Sequence, residues 1–194
     1  MPDTPLSPFV ELDRGRARFG VTHAPPRELD QVSSLLAGAV ETDITPPPGM
    51  PKAGYSANAH DGAGFRTRLR ARVLHLRAGG SSIAWVACDL LGGSQVVQHL
   101  VAQAIADRTD IPLAGLMIGA THTHAGPGQF LGSDFYNRFA SNRSGFDPAW
   151  TQFLVERISA AVVEAHDTRR PARRWVTRAR RRVRNPEPSW ALAE

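Results

Sequence analysis

Two short apolar runs, Ile83–Leu91 (IAWVACDLL) and Leu113–Ala120 (LAGLMIGA), bracket a stretch whose apolar residues recur at helical spacing. Each run has the length of a strand, and turn-forming residues flank it. Between them Val96, Val97, Leu100, Val101, Ala104 and Ile105 mark one face of a helix. Gly92-Gly93-Ser94 opens that helix, and it ends near Thr109-Asp110, ahead of Pro112. A strand–helix–strand crossover is parallel and right-handed in nearly every case. The near-continuous apolarity of both runs predicts strands covered on both faces. The chain is therefore held to the α/β class.

The neighbouring segments extend the sheet. Arg66–Leu76 alternates, with Leu69, Ala71 and Val73 on one side and Arg68, Arg70 and Arg72 on the other, which predicts a half-buried strand. Ala78-Gly79-Gly80-Ser81-Ser82 then turns the chain, so this strand and Ile83–Leu91 form an antiparallel hairpin. Ala37–Ile44 reads as a first strand, stopped by Thr45-Pro46-Pro47-Pro48-Gly49, where proline removes backbone donors. Gly54–Gly64 reads as a loop, and so does the chain from Thr121 to Phe146. Asp147-Pro148 supplies an N-cap and a first-turn proline for a helix to about Asp167, with Trp150, Leu154, Ile158, Ala161, Val162 and Ala165 as its buried stripe. Trp175–Val183 reads as a last strand. The expected fold is α/β: a mixed sheet with a βαβ unit, flanking helices and a metal site at the carboxyl ends of the strands. Residues 1–36 form an irregular N-terminal arm, and residues 37–194 the folded domain.

Composition narrows the chemistry. The single cysteine, Cys88, excludes an internal disulfide and a cysteine-based zinc knuckle, and its apolar strand marks it as an inert core residue. No secretory signal and no apolar run of membrane-spanning length is visible, which leaves the compartment open. The net charge of +5 comes almost wholly from arginine, nine of them between Arg169 and Arg184. Trp175 is the one aromatic within that run and no recognition motif accompanies it, so a solvated face is expected and no nucleic-acid partner.

Parallel strands end at one edge of a sheet, and ligands of open α/β sheets bind outside those ends. Asp89 closes the first buried strand; His122 and His124 follow the second. One carboxylate and two imidazoles are thus expected on one rim, the imidazoles pointing the same way if the chain stays extended. Nitrogen ligands of this kind suit Zn2+. Asp89 is either a ligand or an acceptor for an imidazole N–H. Ala125-Gly126-Pro127-Gly128 is a turn without bulk that leaves room for substrate. Of the other histidines, His75 reads as a hydrogen-bonded core residue, His99 and His60 as solvated, and His166 as a cation at a helix C-terminus.

The string Thr-His-Thr-His-Ala-Gly-Pro-Gly at Thr121–Gly128 resembles the zinc-site signature of the neutral (non-lysosomal) ceramidase family. Val40–Pro46, Gly54-Tyr55, Gly64–Arg72, Val86–Leu91 and His166 with Arg170-Pro171 resemble further elements of that family in the same order. The resemblance implies a Zn2+-dependent amidohydrolase that cleaves the N-acyl amide of ceramide to sphingosine and fatty acid. It implies His122 as a direct metal ligand and His124 as the partner of substrate or of the attacking water. Tyr55, Gly126 and Gly128 fall in the loops that would border substrate, and Asp89 joins His124 in the catalytic set. Members are often secreted or membrane-associated, so a membrane-surface contact is expected too. The family's other zinc ligands lie in later segments, which makes residues 37–194 an incomplete domain, expected to be inactive alone. Two readings from other classes stand beside this one. One is a non-catalytic α/β remnant or partner-dependent interaction module; the other is an arginine-rich binder of anionic surfaces.

Overall fold

The structure is a computed structural model that describes residues 28–64 and 66–173. Alternating apolar residues make β2 (Arg70–Gly79) and β3 (Ser81–Cys88) an antiparallel hairpin, with Ala71 opposite Cys88 and Ala78 opposite Ser81. β1 (Val32–Asp43) pairs antiparallel with the outer side of β2. β4 (Leu116–Ala120) pairs parallel with β3, and the short β5 (Arg170–Pro171) pairs with β1. The strand order is β4-β3-β2-β1-β5. This is the mixed sheet, and the parallel βαβ unit, that the sequence predicts.

α1 (Gln95–Ile105) connects β3 to β4, with the Ser94 side chain accepting from the N–H of Val97 as its cap. α3 (Pro148–Asp167) starts at Asp147, whose side chain accepts from the N–H of Trp150, and its buried stripe contains all the predicted residues. Both helices pack on one face of the sheet and on each other. The core between them joins Val73, Val86 and Leu116 of the strands to Val101 and Ile105 of α1 and Leu154, Ile158 and Val162 of α3. α3 crosses β1 so closely that a Cβ on Gly38 would stand 1.9 Å from the carbonyl oxygen of Ala165.

Several expectations need correction. β1 begins at Val32, inside the segment read as an arm. Residues Leu113–Gly115 form a 3-10 turn, so β4 is shorter than the apolar run; Pro112 precedes the turn, and a Cβ on Gly115 would meet the carbonyl of Ser82 at 2.4 Å. The apolar runs are not covered on both faces. Ile83, Trp85 and Met117 are 37%, 58% and 47% exposed, and with Leu74 at 39% they form an apolar patch on the face opposite the helices. Continuous apolarity here reflects one face packed on helices and another that the described residues leave bare. The chain after Phe130 contains a helix, α2 (Asp134–Phe139), where a loop was expected. The arm before residue 28, the strand at Trp175–Val183 and the arginines beyond Arg173 lie outside the described residues.

A polar knot interrupts the core near the start of β3. His75 is fully buried and shares a hydrogen bond of 2.9 Å with the Ser82 hydroxyl, which donates to Asp110 at 2.5 Å. Arg77 donates to the other carboxylate oxygen at 3.0 Å, and His166 approaches Asp110 at 3.5 Å. Burial holds the His75 imidazole down at a pKa of about 4. Cys88 is 1% exposed, and burial pushes its thiol up to about 12, as suits an inert core residue.

Candidate active site

The parallel register places Cys88 beside Ala120, so the residues that follow each strand emerge together. The ladder continues briefly: the Thr121 N–H donates to the Cys88 carbonyl at 2.9 Å, and the Thr123 N–H to that of Leu90 at 3.1 Å. Between them His122 takes φ +61, so the chain kinks rather than running extended. His122 and His124 still converge, with ring centroids 5.3 Å apart in an edge-to-face arrangement. The kink, not strand alternation, brings them together.

His122 Nδ1 lies 2.8 Å from the carbonyl oxygen of Leu91. A carbonyl can only accept, so Nδ1 is the donor, and in the neutral ring Nε2 then keeps its lone pair. This is the preparation metal-bound histidines show, with one nitrogen committed to a backbone carbonyl and the other available to an ion. His124 is held differently. Tyr55 stands edge-on to it at 4.8 Å between ring centroids, and Gly54, at φ +101, lies against the ring. A Cβ on Gly54 would be 2.4 Å from His124 Cγ, so the imidazole occupies space that glycine alone leaves open.

Asp89 reaches the same rim but faces β2. Its carboxylate accepts from the Arg70 N–H at 2.9 Å, from Arg72 at 3.1 Å and from the Thr121 hydroxyl at 3.2 Å. For His122, the acceptor expected of Asp89 is the Leu91 carbonyl instead. Gly126 and Gly128 are buried. The Gly126 carbonyl accepts from the Ala53 N–H, and the Gly128 N–H donates to Pro51. They tie the histidine loop to the segment that carries Gly54 and Tyr55.

The space beside the imidazoles is a cleft of about 630 Å³. Its glycine lining is Gly54, Gly92 and Gly93, and its far wall is Leu131 with Phe135, Tyr136 and Phe139 of α2. The aromatic wall and the Leu91 carbonyl are what the sequence reading missed. Ser133-Asp134 with phenylalanines four apart was a helix signal available for the first; a backbone acceptor leaves no such trace. Among the described residues no group of three or more His, Cys, Asp or Glu side chains is placed to hold a metal ion. The two imidazoles stand side by side, with Nδ1 of His122 committed to the Leu91 carbonyl.

Fold and rim together define an α/β domain whose paired histidines sit at the carboxyl edge of a parallel strand pair, beside an apolar cleft. The family model described as "Neutral/alkaline non-lysosomal ceramidase, N-terminal" matches residues 35–185. The neutral ceramidase of Mycobacterium tuberculosis is 33% identical over 125 residues, covering 61% of this chain and 19% of that protein. Neutral ceramidase 2 of Arabidopsis thaliana is 28% identical over 151 residues, covering 76% of this chain and 20% of its own length. The crystal structure of neutral ceramidase from Pseudomonas aeruginosa superposes with a TM-score of 0.63 at 27% identity, over 71% of this chain and 22% of that one. The chain belongs to the neutral/alkaline non-lysosomal ceramidase family and spans about a fifth of the length of the curated relatives it matches.

Proposed function

We propose that this chain carries part of a zinc-dependent amidohydrolase site that cleaves the N-acyl amide of a ceramide-like lipid. The observation that carries the reading is the contact of His122 Nδ1 with the Leu91 carbonyl, which in the neutral ring leaves the Nε2 lone pair to an ion. In this reading His122 is a zinc ligand and His124 meets the substrate or the attacking water. Zinc, when bound, would supply Lewis acidity at the amide carbonyl and lower the pKa of water near it. Gly54 and Tyr55 hold the His124 ring in place, and the Asp89 clasp on Arg72 and Thr121 positions the loop from which both histidines rise. The apolar wall of the cleft takes the hydrocarbon part of the substrate.

Two imidazoles make an incomplete set, since catalytic zinc uses about three protein ligands. The described segment by itself is therefore expected to hold zinc weakly and to lack hydrolytic activity. Zinc titration of the purified protein should show binding that His122→Ala abolishes, with folding unchanged by circular dichroism. Binding that survives His122→Ala would remove the basis of the proposal. Release of fatty acid from an N-acyl sphingoid should require the further segments that full-length relatives possess, and His122→Ala in such a chain should lower kcat/KM by at least about a thousandfold.

A second reading, a partner-dependent module without its own catalysis, draws on the bare apolar face of Leu74, Ile83, Trp85 and Met117. Size-exclusion chromatography separates the two, since a stable soluble monomer that binds zinc through His122 fits the first.

A further inference from the structure

The chain between β1 and β2 folds back on itself. The Gly49 N–H donates to the Gly62 carbonyl at 2.6 Å, and the Gly62 N–H to that of Met50 at 2.9 Å. Lys52 then bridges to Pro127 of the histidine turn. These ties border a cavity of about 130 Å³. Leu69 and Pro127 give it apolar walls, and Lys52, Arg66, Thr45 and Thr67 give it polar ones. It shares no lining residue with the histidine cleft, although Ala125 and Pro127 set it against the same turn.

The charge around this cavity is one-sided. No described carboxylate lines it. The acids of the flanking segments are engaged with other cations: Asp43 pairs with Arg68 at 3.4 Å and with Arg70 at 3.8 Å, and Asp61 with Arg143 at 3.2 Å. Lys52 and Arg66 have no ion-pair partner among the described residues. The Thr45 hydroxyl is taken by the Leu69 N–H at 2.9 Å and by Asp43, which leaves Thr67 as the neutral donor. Two like charges on one small space repel, and an anion between them turns repulsion into attraction. Lysine brings a point charge and arginine a planar fork, the two donors from which phosphate sites are made. A dianion balances both cations, whereas a carboxylate balances one. The volume suits a compact head and leaves no room for an acyl chain.

We propose that Lys52 and Arg66 form a phosphate site behind the histidine turn, with Thr67 as a further donor. Its ligand is phosphate dianion, either free or as the head of a small monoester. The site goes beyond the zinc reading of the cleft and does not depend on it.

The experiment is a titration of the full chain with inorganic phosphate and, separately, with glycerol phosphate, followed by phosphorus-31 line width at constant ionic strength and without zinc. Saturable binding of at least one of them is expected. Binding of phosphate alone identifies the free ion as the ligand, and tighter binding of glycerol phosphate identifies a monoester. The double variant Lys52→Met/Arg66→Gln should weaken the binding at least about tenfold, because both charge-assisted contacts are lost. Arg108→Gln should leave it unchanged, since Arg108 borders a groove with Glu164 and Asp167 instead. Acetate should displace phosphate at least about tenfold less well than phosphate displaces itself, as one charge replaces two. Absence of saturable binding overturns the proposal. So does binding that survives in the double variant, which would belong to the arginines beyond Arg173 or to another surface. An equal loss in Arg108→Gln, or acetate competing as well as phosphate, overturns it too. Should the double variant fail to fold, Arg66→Gln and Arg66→Lys replace it: the glutamine must weaken binding more than the lysine, and equal affinities overturn the proposal. Zinc titration of the same variants keeps the two readings apart, since loss of phosphate with zinc binding intact is expected, and failure of the phosphate site leaves the cleft assignment standing.

Discussion

His122 holds a left-handed backbone that an L-residue adopts at a cost of about 1–2 kcal/mol, and the hydrogen bond to Leu91 helps to hold it there. Two substitutions should therefore differ. His122→Gly relieves the strain and His122→Ala retains it, so the glycine variant should be more stable by about 1 kcal/mol in urea denaturation although both lose the imidazole. His75 makes the protein pH-sensitive. Burial lowers its pKa to about 4 from 6.5, so the unfolded chain binds the extra proton first as pH falls. The stability from keeping His75 neutral is fully present above pH 6.5 and declines as pH falls towards about 4. Asp110 adds a loss at still lower pH. Burial alone would raise its pKa, but the Ser82 hydroxyl, His166 and Arg77 outweigh that and keep it below the usual value. Urea midpoints measured between pH 7 and pH 5 should fall in the parent and flatten in His75→Gln. At this scale the paired histidines and the inert Cys88 were legible, because side-chain type announces them. The Leu91 carbonyl and the space under Gly54 were not, because both depend on where the backbone runs.

The elements follow the sequence closely where local chemistry and burial agree. α3 has its cap, its first-turn proline and its apolar stripe in register, and every predicted buried position is buried. Asp147→Ala should cost about 1 kcal/mol, read as a lower melting temperature with an unchanged fold. Gly38→Ala should cost more, at least about 3 kcal/mol, since the added methyl meets backbone of α3 that has no rotamer to yield. The failures occur where polarity and burial part company. β3 and β4 are apolar on the bare face as well as the packed one, so their strings mimic strands buried on both sides. α2 reverses the usual arrangement around Asn137 and so carries no apolar stripe of helical period facing the core. A lone Pro112 and the close approach at Gly115 shorten β4 in a way that apolarity cannot signal.

At the scale of the molecule, the described residues form a five-stranded sheet that carries two helices on one side and presents Leu74, Ile83, Trp85 and Met117 on the other. A charge placed there should help solubility without harming the core. Trp85→Arg should raise the concentration at which the protein first scatters light, with a stability change within about 0.5–1 kcal/mol. The matched segments cover 19% and 20% of the lengths of the two relatives. The tie between His122 and Leu91 has a consequence at this scale. The donor belongs to the residues after β4 and the acceptor to those after β3. Sliding one strand by a single position would carry that carbonyl out of reach and free the ring to switch its proton. The nitrogen-15 signature of one imidazole thus becomes a gauge of alignment for the whole parallel pair, so mispaired chains could be counted in a spectrum without any assay of turnover.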